Sequence, residues 1–414
     1  MTASYLEELL AAFDARPLDG ESFALLLRSD IEDPTTRFAR LAVIGRRMLP
    51  PTHLLRSGAL TVDPFVLSGA SIGAAWRANE GGAAGAVYHA AGGAIPLATG
   101  LPLVVTLLDL APWELPDAYQ RGAAARFGQR LRARLLRDAA AVIVGSDAVA
   151  ESARRLIHVR RDRLRVVPLA PRPAFRFWPA EADGGRAAAP DPARHASAGD
   201  RARTDQRAER ERLGLPERYL VYAGRFDARQ DLATLLRALA RLASDGRPAD
   251  LPDDVSWPPR VLLVDASPED RASLARAATR EGVGEALAYA PRLSDERVAA
   301  LVRGARAAIL PALSDAAGLP ALEAIACGTP VVASAVGALP EIVGSAGILV
   351  PPSDADRLAT AIAATWSEES VHSRLAAAAR ERAETDLRTW DDVAAETRRI
   401  YAEVARPGVA VPAG

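Results

Sequence analysis

The sequence predicts an α/β protein built from two doubly wound domains that face each other across a cleft. Its 414 residues exceed one ordinary domain and suit two of roughly 150–200 residues each. Short apolar runs without polar alternation are separated by helical stretches, which is typical of parallel strands buried on both faces. One stretch poor in large apolar residues interrupts this alternation. We therefore predict a first domain over 1–175, a linker or insertion over 176–212 and a second domain over 213–388.

The first domain is expected to begin with a helix. Tyr5, Leu9 and Phe13 recur on one helical face, and the run 23–27 that follows is strand-like. Further strands are predicted at 86–89, 103–108, 140–145 and 164–169, and helices at 118–137 and 147–157.

The second domain repeats this alternation after the linker. Strands are predicted at 219–223, 261–264, 305–310, 331–333 and 348–350, and helices at 232–242, 269–280, 295–303 and 354–364. A last amphipathic helix over 390–404 has no strand after it.

Charge and residue usage exclude several classes of protein. The 51 basic and 52 acidic residues give a net charge of −1, so no nucleic-acid partner is expected. The sequence contains no lysine, which excludes a P-loop and a Schiff-base lysine. The single cysteine, Cys327, excludes an internal disulfide and a multi-thiolate metal site. Because the start of the chain lacks a signal-peptide pattern, we expect a cytoplasmic protein. The longest uncharged run, 90–108, carries prolines and glycines, so no transmembrane segment is expected.

The segment 220–232 carries the first candidate site. A buried strand is predicted to end at Gly224, whose missing side chain lets the backbone approach a ligand closely. Arg225 follows and is expected to project into the cleft, and Asp231 occupies the N-cap position of the next helix. A fixed positive charge beside a helix N-terminus predicts an anion site. The alternative is that Arg225 is only a surface cation on a loop.

The segment 310–334 carries the second candidate site, with a strand, a glycine-containing turn, a helix and a further strand. Pro320 suits the first helical turn, and Gly328 is expected to end the helix. Asp315 and Glu323 flank the turn, whose backbone N–H groups are expected to point at an anionic or hydroxyl-rich ligand. Two carboxylates there predict recognition of sugar or ribose hydroxyls. The alternative is a helix-start aspartate plus an exposed helical glutamate.

These two segments, in this order, resemble the retaining family-four glycosyltransferases of GT-B architecture. The segment 310–334 is the most specific part of the resemblance. Further segments resemble other strands and loops of that family: 104–110, 142–146, 165–168, 337–341 and 347–351. The helix over 390–401 resembles the closing helix of the family, so 389–406 is expected to return to the first domain.

The resemblance implies transfer of a sugar from a nucleotide-diphosphate-sugar donor to an acceptor, with retention and without a metal or a bound cofactor. Arg225, Asp315 and Asp109 would be the catalytic residues, with Arg225 holding the diphosphate. The donor would be bound by a larger set: Gly224, Arg225, Gln230, Pro291, Arg292, Leu293, Asp315, Ala316, Ala317, Gly318, Leu319 and Glu323. His89 and Asp109 would lie on the side of the acceptor, an unidentified glycan or lipid, and peripheral membrane contact fits such an acceptor.

Several positions depart from the family pattern. Gln230 replaces a lysine, Asp315 replaces a glutamate, and Leu108 replaces a histidine, while Ala316-Ala317 stands for Gly-Phe. These changes support an alternative in which the chain is a catalytically impaired homologue that acts as a partner or regulatory subunit. The resemblance begins after the family's first strand, so this strand is expected to be missing and the true start to lie upstream of Met1.

Two smaller signals remain. The segment 69–73 fits the Gly-x-Ser-x-Gly pattern of serine hydrolases, with Ser71 as the nucleophile, but later histidines do not complete a triad convincingly. His89 ends a predicted strand and fits either a position facing the ligand or a structural histidine whose ring nitrogens are satisfied.

Overall fold

A computed structural model describes residues 2–30, 33–50, 55, 59, 85–91, 94–177 and 198–407. The chain divides into two compact units, one of Met1–Ala170 with Arg388–Gly414 and the other of Pro171–Leu387. Ser71 and its motif lie outside the described residues.

Parallel strands form the framework of the first unit. Its strands are β1 (Phe23–Arg28), β2 (Val43–Leu49), β3 (Gly85–Ala86), β4 (Tyr88–Ala91), β5 (Leu103–Thr106), β6 (Ala141–Val144) and β7 (Leu164–Val166). Within the described residues, β4, β5, β6 and β7 form one parallel sheet in that order, β1 pairs in parallel with β2, and β3 pairs with the short strand Arg406–Pro407. The α-helices of this unit are Thr2–Ala15, Ala111–Glu114, Pro116–Tyr119, Ala123–Asp138, Asp147–Ile157 and Trp390–Val404.

The first helix has the buried face that its sequence predicts. Tyr5, Leu9 and Phe13 are almost fully buried. The helix Trp390–Val404 packs against this helix, and the rings of Tyr5 and Trp390 meet edge to face with 5.7 Å between their centroids. Burial of these aromatic rings joins the two ends of the unit through apolar contact.

The second unit contains a six-stranded parallel sheet. Its strands are β8 (Leu220–Tyr222), β9 (Val261–Val264), β10 (Leu287–Ala290), β11 (Ala307–Leu310), β12 (Val331–Ser334) and β13 (Gly347–Val350), in the order β10-β9-β8-β11-β12-β13. Its α-helices are Ala198–Arg212, Leu232–Asp245, Pro268–Arg280, Asp295–Gly304, Leu319–Ala326, Leu339–Val343, Ala355–Ser367 and Glu369–Thr385. Because all strands are parallel, the loops after β8, β10, β11 and β12 leave the sheet at the same edge.

The predicted linker over 176–212 is wrong in its second half. Residues 198–212 form a helix of the second unit that packs against the helix Asp295–Gly304. Glu209 on this helix accepts hydrogen bonds from Arg297, at 2.6 Å, and from Arg212, at 2.9 Å. The helix is polar and is held partly by ion pairs, so the absence of large apolar residues does not reveal it. Residues 178–197 lie outside the described residues.

Candidate functional site

The loop after β8 is shaped by the side chain of Tyr222. The Tyr222 hydroxyl donates a hydrogen bond to the carbonyl oxygen of Arg225, and its ring packs edge to face on Phe226. A Cβ atom at Gly224 would lie 2.7 Å from the Tyr222 hydroxyl oxygen, so any other residue here would displace the Tyr222 side chain. The sequence predicted close approach of a ligand as the reason for this glycine, whereas the structure shows close approach of a tyrosine side chain. The same contact holds the Arg225 backbone in place.

Arg225 lies at the exposed surface of this loop. The residue is exposed, and the structure shows no ion pair between it and any of the described residues. Arg229, by contrast, forms a forked ion pair with Asp227 and is largely buried. Burial would raise the pKa of Asp227, but the hydrogen bonds from Arg229 and the charges of Arg229 and Arg225 outweigh burial and lower it. Arg225 is therefore available to an anion, while the charge of Arg229 is already matched.

The two segments that the sequence singled out lie side by side. The Asp231 N–H donates to the Pro311 carbonyl at 2.8 Å, and the Leu313 N–H donates to the Arg229 carbonyl at 2.7 Å. Gln230 forms a β-bridge with Ala312 between these bonds, and its partly exposed side chain includes a buried amide oxygen. The predicted N-cap is confirmed, because Asp231 accepts a hydrogen bond from the Thr234 N–H at 3.1 Å.

Asp315 caps the turn that precedes the helix Leu319–Ala326. Its Oδ1 accepts hydrogen bonds from the N–H groups of Ala317, at 3.2 Å, and Gly318, at 2.7 Å, and the residue is only 6% exposed. These two N–H groups are therefore not directed at a ligand, and this part of the sequence prediction is wrong. An aspartate side chain can accept hydrogen bonds from backbone N–H groups two and three residues further along the chain, and Oδ1 of Asp315 does so here. Ala316 and Leu319 are also buried.

A third segment packs on this turn from the loop after β12. The Asp315 carbonyl accepts a hydrogen bond from the Ala338 N–H at 2.9 Å. A Cβ atom at Gly337 would lie 2.0 Å from the same carbonyl oxygen. The predicted end of the helix is confirmed: Gly328 follows the last helical turn with a φ of 75°. Backbone hydrogen bonds from the loop after β8 and from the loop after β12 thus hold the segment that carries Asp315.

Glu323 is buried and paired, although the sequence prediction places it against ribose hydroxyls. It is 4% exposed, and its two oxygens accept hydrogen bonds from Arg172, from Nε at 2.5 Å and from Nη2 at 2.9 Å. Arg172 also donates through Nη1 to Asp295 at 2.5 Å, and its guanidinium lies 4.6 Å from the centre of the Phe175 ring. Burial would lower the pKa of Arg172, but hydrogen bonds and charges from the two carboxylates raise it above its ordinary value.

Sequence reasoning missed Arg172. The only available signal was a single arginine in the run Val166–Phe175, which is otherwise free of charge. Asp295, the second partner of this arginine, begins the helix that follows the predicted base-side loop of Pro291, Arg292 and Leu293. Pro291 and Arg292 are exposed, and Leu293 is partly buried.

His89 in the first unit has partners at both ring nitrogens. Nδ1 lies 2.6 Å from the Tyr401 hydroxyl, and Nε2 lies 2.8 Å from the hydroxyl of Thr106, which also lies 3.1 Å from the Tyr5 hydroxyl. Burial lowers the pKa of His89 to about 4, so the ring is neutral at neutral pH. Of the two interpretations that the sequence left open, this geometry favours the structural histidine.

Asp109, the other residue placed on the acceptor side, lies just after β5. Its Oδ1 accepts a hydrogen bond from the Ala111 N–H at 2.9 Å. Its charge favours the ionised form of Arg132, whose pKa is nevertheless lowered by burial. Arg132 also lies 5.5 Å from the centre of the Trp113 ring. Asp109 thus accepts a backbone hydrogen bond in its turn and also interacts electrostatically with the partly buried Arg132.

Metal and membrane sites were also sought in the part of the chain that the structure describes. There, no three or more histidine, cysteine, aspartate or glutamate side chains are grouped as metal ligands would be. None of the helices in the same described residues combines the length and the apolar character needed to cross a bilayer.

Family models match both units. The "Glycosyl transferase 4-like domain" matches residues 2–170, and "Glycosyl transferases group 1" matches residues 205–382. One relative is the O-antigen chain mannosyltransferase B of Escherichia coli, 33% identical over 186 residues, which are 44% of this chain and 45% of that protein. The chain spans about half the length of the curated relatives it matches.

Solved structures show the same fold over nearly the whole chain. WaaG, a glycosyltransferase involved in lipopolysaccharide biosynthesis, superposes with a TM-score of 0.64 at 14% identity, covering 97% of this chain and 95% of its own. Anabaena Alr3699/HepE, solved in complex with UDP and glucose, gives a TM-score of 0.63 at 18% identity, with coverages of 96% and 95%. The predicted α/β architecture of GT-B type is confirmed. With one family model on each unit, the first unit matches the glycosyl transferase 4-like domain and the second unit matches the glycosyl transferases group 1 family.

Proposed function

We propose that this chain transfers a sugar from a nucleotide-diphosphate-sugar donor to a glycan or lipid acceptor, with retention and without a metal ion. The observation that carries the proposal is the exposed guanidinium of Arg225, which lacks an ion-pair partner among the described residues. It sits at the carboxyl edge of a parallel sheet, where ligands of doubly wound folds bind. The neighbouring Arg229 and Asp231 are fixed to Pro311 and Leu313 by hydrogen bonds.

Arg225 would act on the leaving group. Cleavage of the bond between the sugar and the diphosphate leaves negative charge on the phosphate oxygens, and a preplaced guanidinium stabilises that charge as it develops. Tyr222 contributes by holding the Arg225 backbone through a partly buried hydrogen bond. Gln230 adds no charge where the family pattern has a lysine, and Arg229 is paired with Asp227, so Arg225 would supply the positive charge for the diphosphate.

The nucleoside end of the donor would lie toward Glu323 and the loop of Pro291, Arg292 and Leu293. Glu323 follows β11 and the loop follows β10, so both leave the sheet at the edge that carries Arg225. An ionised carboxylate accepts hydrogen bonds from two vicinal hydroxyls, which suits the ribose diol. A structure of the fold neighbour HepE holds UDP and glucose, so UDP is the first nucleotide to test.

A second candidate function is that of a catalytically impaired homologue acting as a partner or regulatory subunit. The observation that favours it is the engagement of Asp315 with two backbone N–H groups, which occupy Oδ1 of the carboxylate that would contact the donor sugar. Such a protein would bind the nucleotide through Arg225 and yet transfer no sugar.

Calorimetric titration of the purified chain with UDP, GDP and ADP, and with the matching nucleosides, tests the proposal. Arg225→Ala is expected to weaken binding of the diphosphate by roughly tenfold or more and to leave binding of the nucleoside unchanged. Arg276→Ala is the matched control, because Arg276 is also an exposed arginine of the second unit. Equal affinity of wild type and Arg225→Ala for the diphosphate would refute the assignment.

Turnover separates the two candidate functions. Incubation with UDP- or GDP-sugars and a mixed set of glycan and lipid acceptors, followed by NMR of the new anomeric centre, is expected to show a product that keeps the configuration of the donor. Activity that survives EDTA supports reaction without a metal ion. Nucleotide binding with no transfer to any acceptor or to water would favour the partner or regulatory subunit.

A further inference from the structure

Arg172 bonds to both of the elements that would bind the nucleoside of the donor. Its Nε and Nη2 bond to the two oxygens of Glu323, and its Nη1 bonds to Asp295. Glu323 would bind the ribose, and Asp295 begins the helix directly after the predicted base-side loop of Pro291, Arg292 and Leu293. One guanidinium therefore sets the spacing between the two elements.

Arg172 is itself held in place. Its side chain is 23% exposed, its guanidinium lies 4.6 Å from the centre of the Phe175 ring, and its carbonyl accepts a hydrogen bond from the Phe175 N–H at 2.9 Å. Phe175 is 2% exposed and belongs to the core of the second unit. An arginine that forks onto a carboxylate and lies over an aromatic ring has one preferred orientation, which lysine cannot reproduce.

Ionisation of Glu323 depends on this arginine. The side chain of Glu323 is 6% exposed, and a carboxylate removed from water is strongly disfavoured unless a charged partner compensates. Burial raises the pKa of Glu323, and Asp295 adds to this effect. Arg172 is the group that opposes it, through its hydrogen bonds and its charge. Burial raises the pKa of the neighbouring Cys327 thiol to about 12, so this group stays neutral.

Other arginines near the helix Leu319–Ala326 bond to groups other than Glu323. Arg303 donates hydrogen bonds to the carbonyl groups of Ala174 and Arg176. It also partly opposes the rise in the pKa of Cys327 that burial causes. The helix Glu369–Thr385 packs against the helix Leu319–Ala326. On it, Arg380 lies over the Phe177 ring, and Arg382 donates hydrogen bonds to the Ile342 and Val343 carbonyl groups. None of these three arginines forms a hydrogen bond to Glu323 among the described contacts.

We propose that Arg172 is a positioning residue for recognition of the donor ribose, because it holds Glu323 ionised and oriented and ties it to the base-side loop through Asp295. This inference rests on the proposed function. Each carboxylate oxygen has two lone-pair positions, and the fork from Arg172 occupies one on each oxygen. The remaining positions are those offered to the ribose hydroxyls.

The test compares ribose recognition in wild type and Arg172→Met. The probes are UDP or GDP, whichever binds the wild type, and its 2′,3′-dideoxy analogue, titrated by calorimetry from pH 5.5 to 8.5. Wild type is expected to prefer the ribonucleotide by roughly tenfold or more at every pH, because two hydroxyls bond to a charged acceptor. In Arg172→Met this preference is expected to collapse toward unity at low pH and to recover as the pH rises and Glu323 ionises.

Two further variants keep the test decisive if Arg172→Met does not fold. Arg172→Lys keeps the charge but loses the fork, so it should lower the preference by about threefold while keeping the flat pH profile of the wild type. Asp295→Asn leaves the bonds to Glu323 in place and should weaken both nucleotides equally. If Arg172→Met does not fold, these two variants decide the question by the same measurements.

Three outcomes would overturn the inference. An unchanged preference in Arg172→Met and Arg172→Lys would show that Arg172 has only a structural role. Tighter ribonucleotide binding in either variant would show that Arg172 competes with the ribose instead of presenting Glu323 to it. If the wild type binds none of the three nucleoside diphosphates, the proposed function fails, and this inference fails with it.

Discussion

Gly337 offers a sharp test of how the candidate site is held together. Its φ is +53°, a left-handed conformation that costs a residue with a Cβ roughly 1–2 kcal/mol. A Cβ at this position would lie 2.0 Å from the Asp315 carbonyl oxygen and 2.7 Å from its carbon. Both are backbone atoms, so no side-chain rotation can relieve the contact. In Gly337→Ala, the turn that carries Asp315 must therefore move.

The cost has three parts. The left-handed backbone contributes roughly 1–2 kcal/mol, overpacking adds roughly 1–3 kcal/mol, and loss of the bond from the Ala338 N–H to the Asp315 carbonyl adds roughly 0.5–1.5 kcal/mol. Gly337→Ala is thus expected to destabilise the second unit by roughly 2.5–6.5 kcal/mol. Gly214→Ala is the matched control, because Gly214 has a φ of +60° and nothing within 4 Å of an added Cβ. It should cost only the backbone part, roughly 1–2 kcal/mol.

Thermal unfolding followed by circular dichroism measures the difference. Both glycines belong to the second unit, so the same transition reports on both variants. At roughly 2–4 °C per kcal/mol for a unit of this size, Gly337→Ala should lower Tm by at least about 5 °C and by more than Gly214→Ala does. Equal shifts in the two variants would refute the argument that the Asp315 carbonyl blocks a side chain at this position.

Two further predictions concern buried titratable groups. Burial lowers the pKa of His89 from 6.5 to about 4, so between these pH values the unfolded chain binds more protons than the folded chain. The contribution of the neutral ring to the free energy of unfolding is therefore complete above about pH 6.5 and is lost as the pH falls toward 4. Urea unfolding at pH 7 and pH 5 should show a loss of about 2 kcal/mol in wild type that is missing in His89→Gln, and equal losses would contradict a buried neutral ring. Burial raises the pKa of Cys327 to about 12, so a thiol reagent should not label the native protein and should label it in urea as the second unit unfolds. Prompt labelling without urea would contradict this burial, and the signal is unambiguous because the chain has one cysteine.

Local patterns in the sequence were sufficient for most of the secondary structure. The helix over 147–157 and the strand over 261–264 have the bounds that their residue patterns predict. The Asp231 cap and the Gly328 stop also agree with the structure. These signals act within a few residues of chain, because capping and periodicity depend on neighbours along one element.

Satisfaction of polar groups was harder to predict. The sequence identified Asp315 and Glu323 as two carboxylates beside one turn, yet it could not tell which groups they bond. Asp315 turns to its own backbone, and Glu323 pairs with an arginine 151 positions away. His89 meets Tyr401 across 312 positions of chain. Such pairs form only when separate elements pack in one register, which no local pattern specifies.

The sequence by itself determined the α/β alternation, the placement of Arg225 after a buried strand and the turn that contains Gly318. Only the tertiary structure decided that Arg225 is the exposed cation of its loop while Arg229 is paired, and that Arg172 holds Glu323. The physical reason is one of range. Backbone propensity and capping act over a few residues, whereas the desolvation of a charge and its pairing depend on every element that packs around it.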